Sequence, residues 1–409
     1  MSQPSSDQAH NRPQGTVAGR HRRAAPRPKS RPVNERIERL KAFAPEYRKY
    51  LARISARSQA MDDLLSTFPA LIFALATGFG TDTQRAATFR AIADGAKRKE
   101  AAATLGLPWW TRKLPASALR QRLDDLAVVP PKVDQQFAAT VPAEADTAAT
   151  WLAQVLRATA ACDADFGLWM AKNGPRLALD VENRRFNYLC AWAWYSDRPE
   201  TQAGRLIRKR WHAGIRPRSA LEEMRIWHLR LGAAAALAAL PQARWPRTVR
   251  GLAYEFVPLL RPDEMLAESL ALQNCLDHYG TYLECGQLML ISVRRQGQAI
   301  ACAEVLFPDD PTEPPRINQL KGLRNRPCSP ELQRAAHRWI TSESVAYRVL
   351  PAARRAAAVK TRMRQLWMPY LLWLGDAHAV SFDLSLRETE KAKRKARRDL
   401  QSVGQFQAS

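Results

Sequence analysis

The sequence predicts an α+β protein that is mostly helical. An all-α N-terminal region is followed by a small C-terminal α+β module with an antiparallel β-meander. Three observations predict this. Apolar residues recur at three- and four-residue steps through the first 240 or so positions, as one face of a helix requires. Pro and Gly cut that pattern into segments, and no strand alternation is convincing before residue 250. Beyond 250 the period changes to two, in short apolar runs bounded by turn residues.

In chain order, residues 1–32 carry Pro4, Pro13, Pro26, Pro28 and Pro32 and almost nothing apolar, and read as a disordered basic arm. The all-helical region covers 33–245. Its first helical pattern runs through Ile37, Leu40, Lys41 and Ala44, then Tyr47, Tyr50, Leu51 and Ile54, with a break near Pro45. Further helices are expected at 62–76, 83–105, 116–127, 143–172, 184–195, 201–212 and 217–240. The α+β module covers 246–345. Gly251 to Leu259 reads as a strand, and Pro262 opens a helix expected to run to Tyr279, since the first helical turn tolerates proline. Residues 287–295 and 299–307 read as a hairpin around Gln296-Gly297-Gln298. A third strand at 316–322 and a helix from Pro330 to Ile340 follow. A helical extension, 346–385, and a basic tail, 386–409, complete the chain.

Charge is the unusual property of the composition. Lys and Arg number 63 against 39 Asp and Glu, a net charge of +24. Four stretches hold +21 of it: 1–32, 204–218, 351–365 and 387–399. Charge gathered this way can condense on a phosphate backbone and release counterions. Arg205, Arg208, Lys209, Arg210, Arg354, Arg355, Lys360, Lys393, Arg394 and Lys395 are therefore the candidate nucleic-acid contacts. Solvated helix faces and free tails are the plainer interpretation of the same runs.

The N-terminus has no apolar segment after its arginines, so a cytoplasmic location is expected. The longest uncharged run, between Asp63 and Asp82, is diluted by Ser66, Thr67, Pro69, Gly78 and Gly80 and reads as a buried helix, so no membrane partner is expected. Lys97 to Leu107 invites a helix-turn-helix interpretation, but Pro108-Trp109-Trp110 would open the recognition helix with two indoles, which belong in a core. Trp192 and Trp194, near several arginines, likewise read as core.

Within the C-terminal module, Glu268-Ser269, Asn274-Cys275-Leu276, Tyr279, Gly286, Arg294, Cys302-Ala303-Glu304-Val305, Gln319, Gly322 and Asn325 follow one another in an order that resembles the PcfJ-like protein family. That family is named from conjugative-plasmid genes and also occurs on bacterial chromosomes and in phages. The resemblance covers about residues 250–345. It implies the architecture above, a bacterial and mobile-element setting, and Glu268, Asn274, Cys275, Tyr279, Arg294, Glu304, Gln319, Gly322 and Asn325 as motif positions. It implies no defined reaction. The chain departs from the pattern at Ser269, where Gly is usual, at Asn274, where His is usual, and at Cys302, where Thr is common.

Side chains alternate along strands, so Ser292 and Arg294 share a face, as do Cys302 and Glu304. A three-residue hairpin loop sets Leu290 opposite Glu304 and brings these polar groups onto one face; a two-residue loop splits them. In the first register Arg294 and Glu304 would form a charged pair near Gln319, either a structural clamp or the floor of a pocket. Cys275 and Glu304 are the candidate catalytic residues, with His278 as a conceivable base for the thiol. The cysteines match no zinc spacing, so no metal is expected. No nucleotide or dinucleotide fingerprint appears, and no cofactor is expected. The expected function is a nucleic-acid-associated accessory protein. An enzyme acting on nucleic acid or nucleotide, and a protein-interaction module, remain open alternatives.

Overall fold

Prolines and capping side chains set most helix starts. The computed structural model describes residues 33–124, 126, 131–177, 179, 184–243, 253–276, 279–308, 310, 312–341 and 347–375. The expected basic arm and basic tail, with Lys393, Arg394 and Lys395, lie outside the described residues. The helical region comprises α1 (Val33–Lys41), α2 (Pro45–Ser55), α3 (Gln59–Thr67), α4 (Pro69–Thr77), α5 (Asp82–Ala93) and α6 (Arg98–Leu105). It continues with α7 (Pro131–Thr140), α8 (Ala145–Ala161), α9 (Ala164–Leu177), α10 (Arg184–Ser196), α11 (Gln202–Arg205) and α12 (Pro217–Ala236). Ser58 accepts from the Met61 N–H to start α3, and Thr81 and Gln84 form a reciprocal capping box on α5.

Several expected helices are divided. The 62–76 segment breaks at Phe68, where Pro69 opens α4 and the axis turns by 116°. The 83–105 segment breaks at Gly95, whose positive φ ends α5. The 143–172 segment breaks at Cys162, and 201–212 shrinks to the single turn of α11. Among the described residues of the expected 116–127 helix only Ala116–Ala118 is helical, as one 3₁₀ turn, whereas α7 begins at Pro131, read from sequence only as punctuation.

Two apolar clusters hold this region together. The first gathers Leu51, Phe68, Leu71, Phe73, Trp110 and Trp151. Trp110 is buried edge-on to Trp151 and Trp109 lies in a 3₁₀ turn against Phe68, so no recognition helix follows α6. The second gathers Trp169, Trp192, Trp194, Tyr195 and Trp227 and is closed by the C-terminal helix described below.

A two-residue strand, β1 (Gln242–Ala243), was not expected before residue 250. The module then runs β2 (Glu255–Pro258), α13 (Pro262–Leu272), α14 (Gly280–Glu284), β3 (Leu288–Arg295), β4 (Gln298–Leu306), β5 (Arg316–Gly322) and α15 (Pro330–Thr341). Strands β2-β3-β4-β5 form an antiparallel sheet in that order, the expected meander. The pair β1 and β6 (Tyr347–Arg348) ties the two ends of the module together, and α16 (Ala352–Leu374) returns to the helical region. There Tyr195 donates to the Leu366 carbonyl at 2.7 Å and Tyr370 to the Ala161 carbonyl at 3.0 Å.

The sheet's two faces differ. One carries Phe256, Met289, Ile291, Val293, Ala303 and Val305 against α15, with Trp339 stacked on Phe256 at 4.4 Å. The other packs Leu288, Leu290 and Leu306 against α12, α13 and α14 but also holds Ser292, Cys302 and Glu304. Among the described residues no single helix is long and apolar enough to cross a membrane.

Candidate functional site

Two irregularities in the sheet build the polar face. The hairpin turn holds two residues, Gln296 and Gly297, with φ of 51° and 78°, positive as tight turns matched to strand twist require. Alone, that turn would set Leu290 against Ala303. The register shifts between Val293 and Arg294, leaving Ile300 as an extra residue in β4, so that Leu290 lies opposite Glu304 and Ser292 opposite Cys302. The pairing expected from a three-residue loop is thus reached by a two-residue turn plus a bulge.

The second shift lies beside Glu304 itself. Glu304 pairs with Gln319 and Val305 with Ile317, so Asn318 is the extra residue of β5. In regular alternation the side chain at 318 would point away from that at 319. The bulge turns it, and Asn318 Nδ2 donates to Glu304 Oε1 at 2.6 Å.

Above this face opens a cleft of about 240 Å³ lined by Asn274, Cys275, Leu276, Tyr279, Leu290, Cys302, Glu304, Gln319, Lys321 and Asn325. Six of the nine motif positions, Asn274, Cys275, Tyr279, Glu304, Gln319 and Asn325, therefore meet in one place although they span about fifty residues of chain. Gly322 is buried beneath the turn that follows β5, its N–H bonded to the Arg326 carbonyl. Glu268 and Arg294 lie beyond the cleft wall.

The upper wall corrects an expectation. Helix α13 ends at Leu272 rather than Tyr279, because Gln273 adopts left-handed φ of 47°. Asn274 and Cys275 thereby leave the helix, and Ser269 Oγ donates to the Asn274 carbonyl at 3.1 Å. Cys275 is therefore not on a helix, and its conceivable base His278 lies outside the described residues. Opposite, Arg324 and Asn325 also have positive φ, 55° and 58°. Arg324 Nε donates to Gln273 Oε1 at 2.8 Å, and Asn325 Nδ2 to Cys275 Sγ at 3.3 Å. Three non-glycine residues in the left-handed region thus meet at one edge of the cleft. Such strain costs about 1–3 kcal/mol per residue and persists where the surroundings enforce it, characteristically at functional sites.

Glu304, 5% exposed, forms the floor. Tyr279 donates to its Oε2 at 3.0 Å, and these donors oppose burial, which still raises its pKa. Burial and the adjacent carboxylate push the Tyr279 phenol up as well. Glu268, 2% exposed, has one oxygen bonded to Ser292, while its Oε1 has no partner; burial raises its pKa against the pull of Ser292 and Arg294. Arg294 Nε donates to Ser292 Oγ at 3.1 Å. The expected Arg294–Glu304 pair is not formed among the described residues. Arg294 serves Glu268 through Ser292 instead. Cys302 lies between the two carboxylates, its thiol pushed up by burial and by both of them, which makes it an unreactive sulfur.

Chemically, the cleft offers a carboxyl group held toward its neutral form, a phenol on it, three side-chain amides that each donate and accept, one ammonium and one exposed thiol. Among the described residues no three His, Cys, Asp or Glu side chains are placed to hold a metal ion.

The basic stretches lie elsewhere on the surface. Arg205 and Arg208 are exposed; Arg205 donates to the Glu200 carbonyl and Arg208 pairs with Glu223 at 3.2 Å. Lys209, Arg210, Arg216 and Arg218 are exposed and make no ion pair among the described residues. Helix α11 packs against α16, on which Arg354, Lys360 and Arg364 are exposed and no acid occurs. Arg355 differs: it is half-buried over Gly286 and donates to the Leu350 carbonyl.

Sequence reasoning missed Asn318 and Lys321. The available signal was Asn318 itself, since asparagine is depleted in strands and a strand that carries one invites a bulge. Compared with protein-family models, with curated proteins and with solved structures, the chain matches none.

Proposed function

We propose that this chain is a nucleic-acid-associated accessory protein of the PcfJ-like kind, working in the cytoplasm. One observation carries this. Lys209, Arg210, Arg216 and Arg218, with Arg354, Lys360 and Arg364, are exposed cations without carboxylate partners among the described residues, on neighbouring stretches of the fold. Cations that are already paired release no counterions on meeting phosphate; these are free to do so. Arg355, tied down over Gly286, is not one of the contacts.

Fluorescence anisotropy with a labelled duplex and a labelled single strand, across salt, tests it. Affinity should fall steeply with ionic strength. Replacing Lys209, Arg210 and Arg218 by Ala should make the slope of log K against log salt shallower, by about 0.9 for each duplex phosphate that is no longer neutralised. Salt-insensitive or undetectable binding overturns the proposal. An enzyme acting on nucleic acid or nucleotide is a second reading, favoured by the neutral-leaning Glu304 with the Tyr279 phenol on it at the floor of a cleft.

A further inference from the structure

We propose that the cleft over Glu304 is a nucleotide pocket, taking the base between Asn274, Gln319 and Asn325 and the phosphate toward Lys321, Arg324 and Arg326. This rests on the nucleic-acid reading above and names the ligand of a second, separate site.

Size comes first. At about 240 Å³ the cleft is smaller than the roughly 300–1,000 Å³ that holds drug-sized ligands, so it suits one base with little more than its sugar. The lining then selects the chemistry. Side-chain amides present a donor and an acceptor side by side, the pattern that matches a base edge, and a carboxyl can accept from an exocyclic amine. Three amides and Glu304 face the same space. An aliphatic or simple acidic ligand would leave most of these groups without partners, at about 1–3 kcal/mol for each buried one. Asn274, which lines the cleft, has a buried Oδ1 without a partner, an acceptor that a base amine would satisfy once the side chain turns toward the cleft.

The charge on the rim supports the phosphate end. Lys321 lines the cleft, and Arg324 and Arg326 follow on the turn after β5. Among the described residues Glu304 is the one carboxylate that lines the cleft, and it sits on the floor. The Tyr279 ring supplies a wall on which a base can stack. The turn at Arg324–Asn325 is tied to the left-handed end of α13 by the Arg324–Gln273 and Asn325–Cys275 hydrogen bonds, so this edge of the pocket is formed before any ligand arrives.

The base could reach the cleft as a free mononucleotide or as an unstacked base on a strand. Titration of the full chain with each of the four ribonucleoside monophosphates tests the first source. Comparison of a single-stranded oligonucleotide with the same oligonucleotide made abasic tests the second. One nucleotide, or the base-bearing strand, should bind at least tenfold more weakly to Gln319→Ala and to Glu304→Gln. Gln319 is exposed, so its loss leaves the fold intact. Both variants should keep the salt-dependent duplex binding of the parent. Mononucleotide binding with no duplex binding would end the accessory reading and leave this pocket standing. Mononucleotides that do not bind, together with an abasic strand that binds as well as its parent, would overturn the pocket while sparing the basic surface.

Discussion

The tryptophan-rich helical core and the polar face of the C-terminal sheet are both buried, yet they are built on opposite principles. In the core, large rings meet edge-on or stacked, and several of their polar atoms are answered by backbone: Trp227 donates to the Ala203 carbonyl and Trp169 to the Ile215 carbonyl. Among the described residues no carboxylate is buried with these rings; Arg198 lies 3.9 Å over the Trp194 ring, and the apolar area removed from water does most of the stabilising. On the sheet face, Glu268 and Glu304 are removed from water without a cationic partner in direct contact among the described residues, near residues held in left-handed conformations. Burying carboxylates is unfavourable unless they are well hydrogen-bonded, and Glu268 Oε1 is not bonded at all. The same sheet's other face shows that an apolar alternative was available, since Phe256, Met289 and Trp339 pack there with no buried carboxylate among the described residues. The polar face is therefore the less favourable of the two to bury.

This contrast can be broken at several points. Trp227→Ala should have the largest effect, about 3–5 kcal/mol of unfolding free energy in urea denaturation, with ligand binding at the cleft unchanged under native conditions. Lost nucleotide binding in a variant that remains folded would show that the two regions are not independent.

Glu268→Gln should change the pH dependence more than the stability itself. Burial raises the Glu268 pKa above the ordinary glutamate value of ~4.3. Between those two values the folded state holds a proton that the unfolded state has lost, so stability falls as pH rises through that window and is flat above it. The glutamine side chain cannot titrate. The variant should show a shallower fall between mildly acidic and neutral pH in chemical denaturation; an unchanged profile would mean that Glu268 is not held neutral.

The smallest effect probes backbone strain. Arg324→Gly should alter stability by no more than about 0.5 kcal/mol, because relief at positive φ offsets the missing bond to Gln273. Arg324→Val should cost about 1–2 kcal/mol, since a β-branched residue resists the left-handed region. Equal stabilities for the two variants would remove strain as a property of this edge.

Much of the fold was legible in the sequence because its signals are local. Periodicity located the helices, and the shift to a two-residue period located the meander. Part of what was lost lay at breaks: a run such as 143–172 keeps its helical spacing across Cys162, and pattern alone does not mark the turn; the expected 116–127 helix and the unforeseen α7 were misplaced outright. The candidate site was legible in part. Asn274, Cys275, Tyr279, Glu304, Gln319 and Asn325 were named from sequence and do share a cleft. Strand alternation places Arg294 on the correct face for Glu304, but it says nothing of how far along that face a side chain reaches. Arg294 turns to Ser292 and Glu268 instead. Asn318 was missed because a bulge reverses a side chain's direction, and bulges follow from two strands together rather than from either one.

The extra residue at Ile300 has an effect beyond its own strand. It lies between the hairpin tip and Glu304, and the frame of β4 is reset there. Changes at Gln296 and Gly297 can be absorbed on the far side of that reset, leaving the carboxylate where it is. The tip is thus the place on this module to attach a fluorophore or an affinity handle, since the reset at Ile300 lies between it and Glu304.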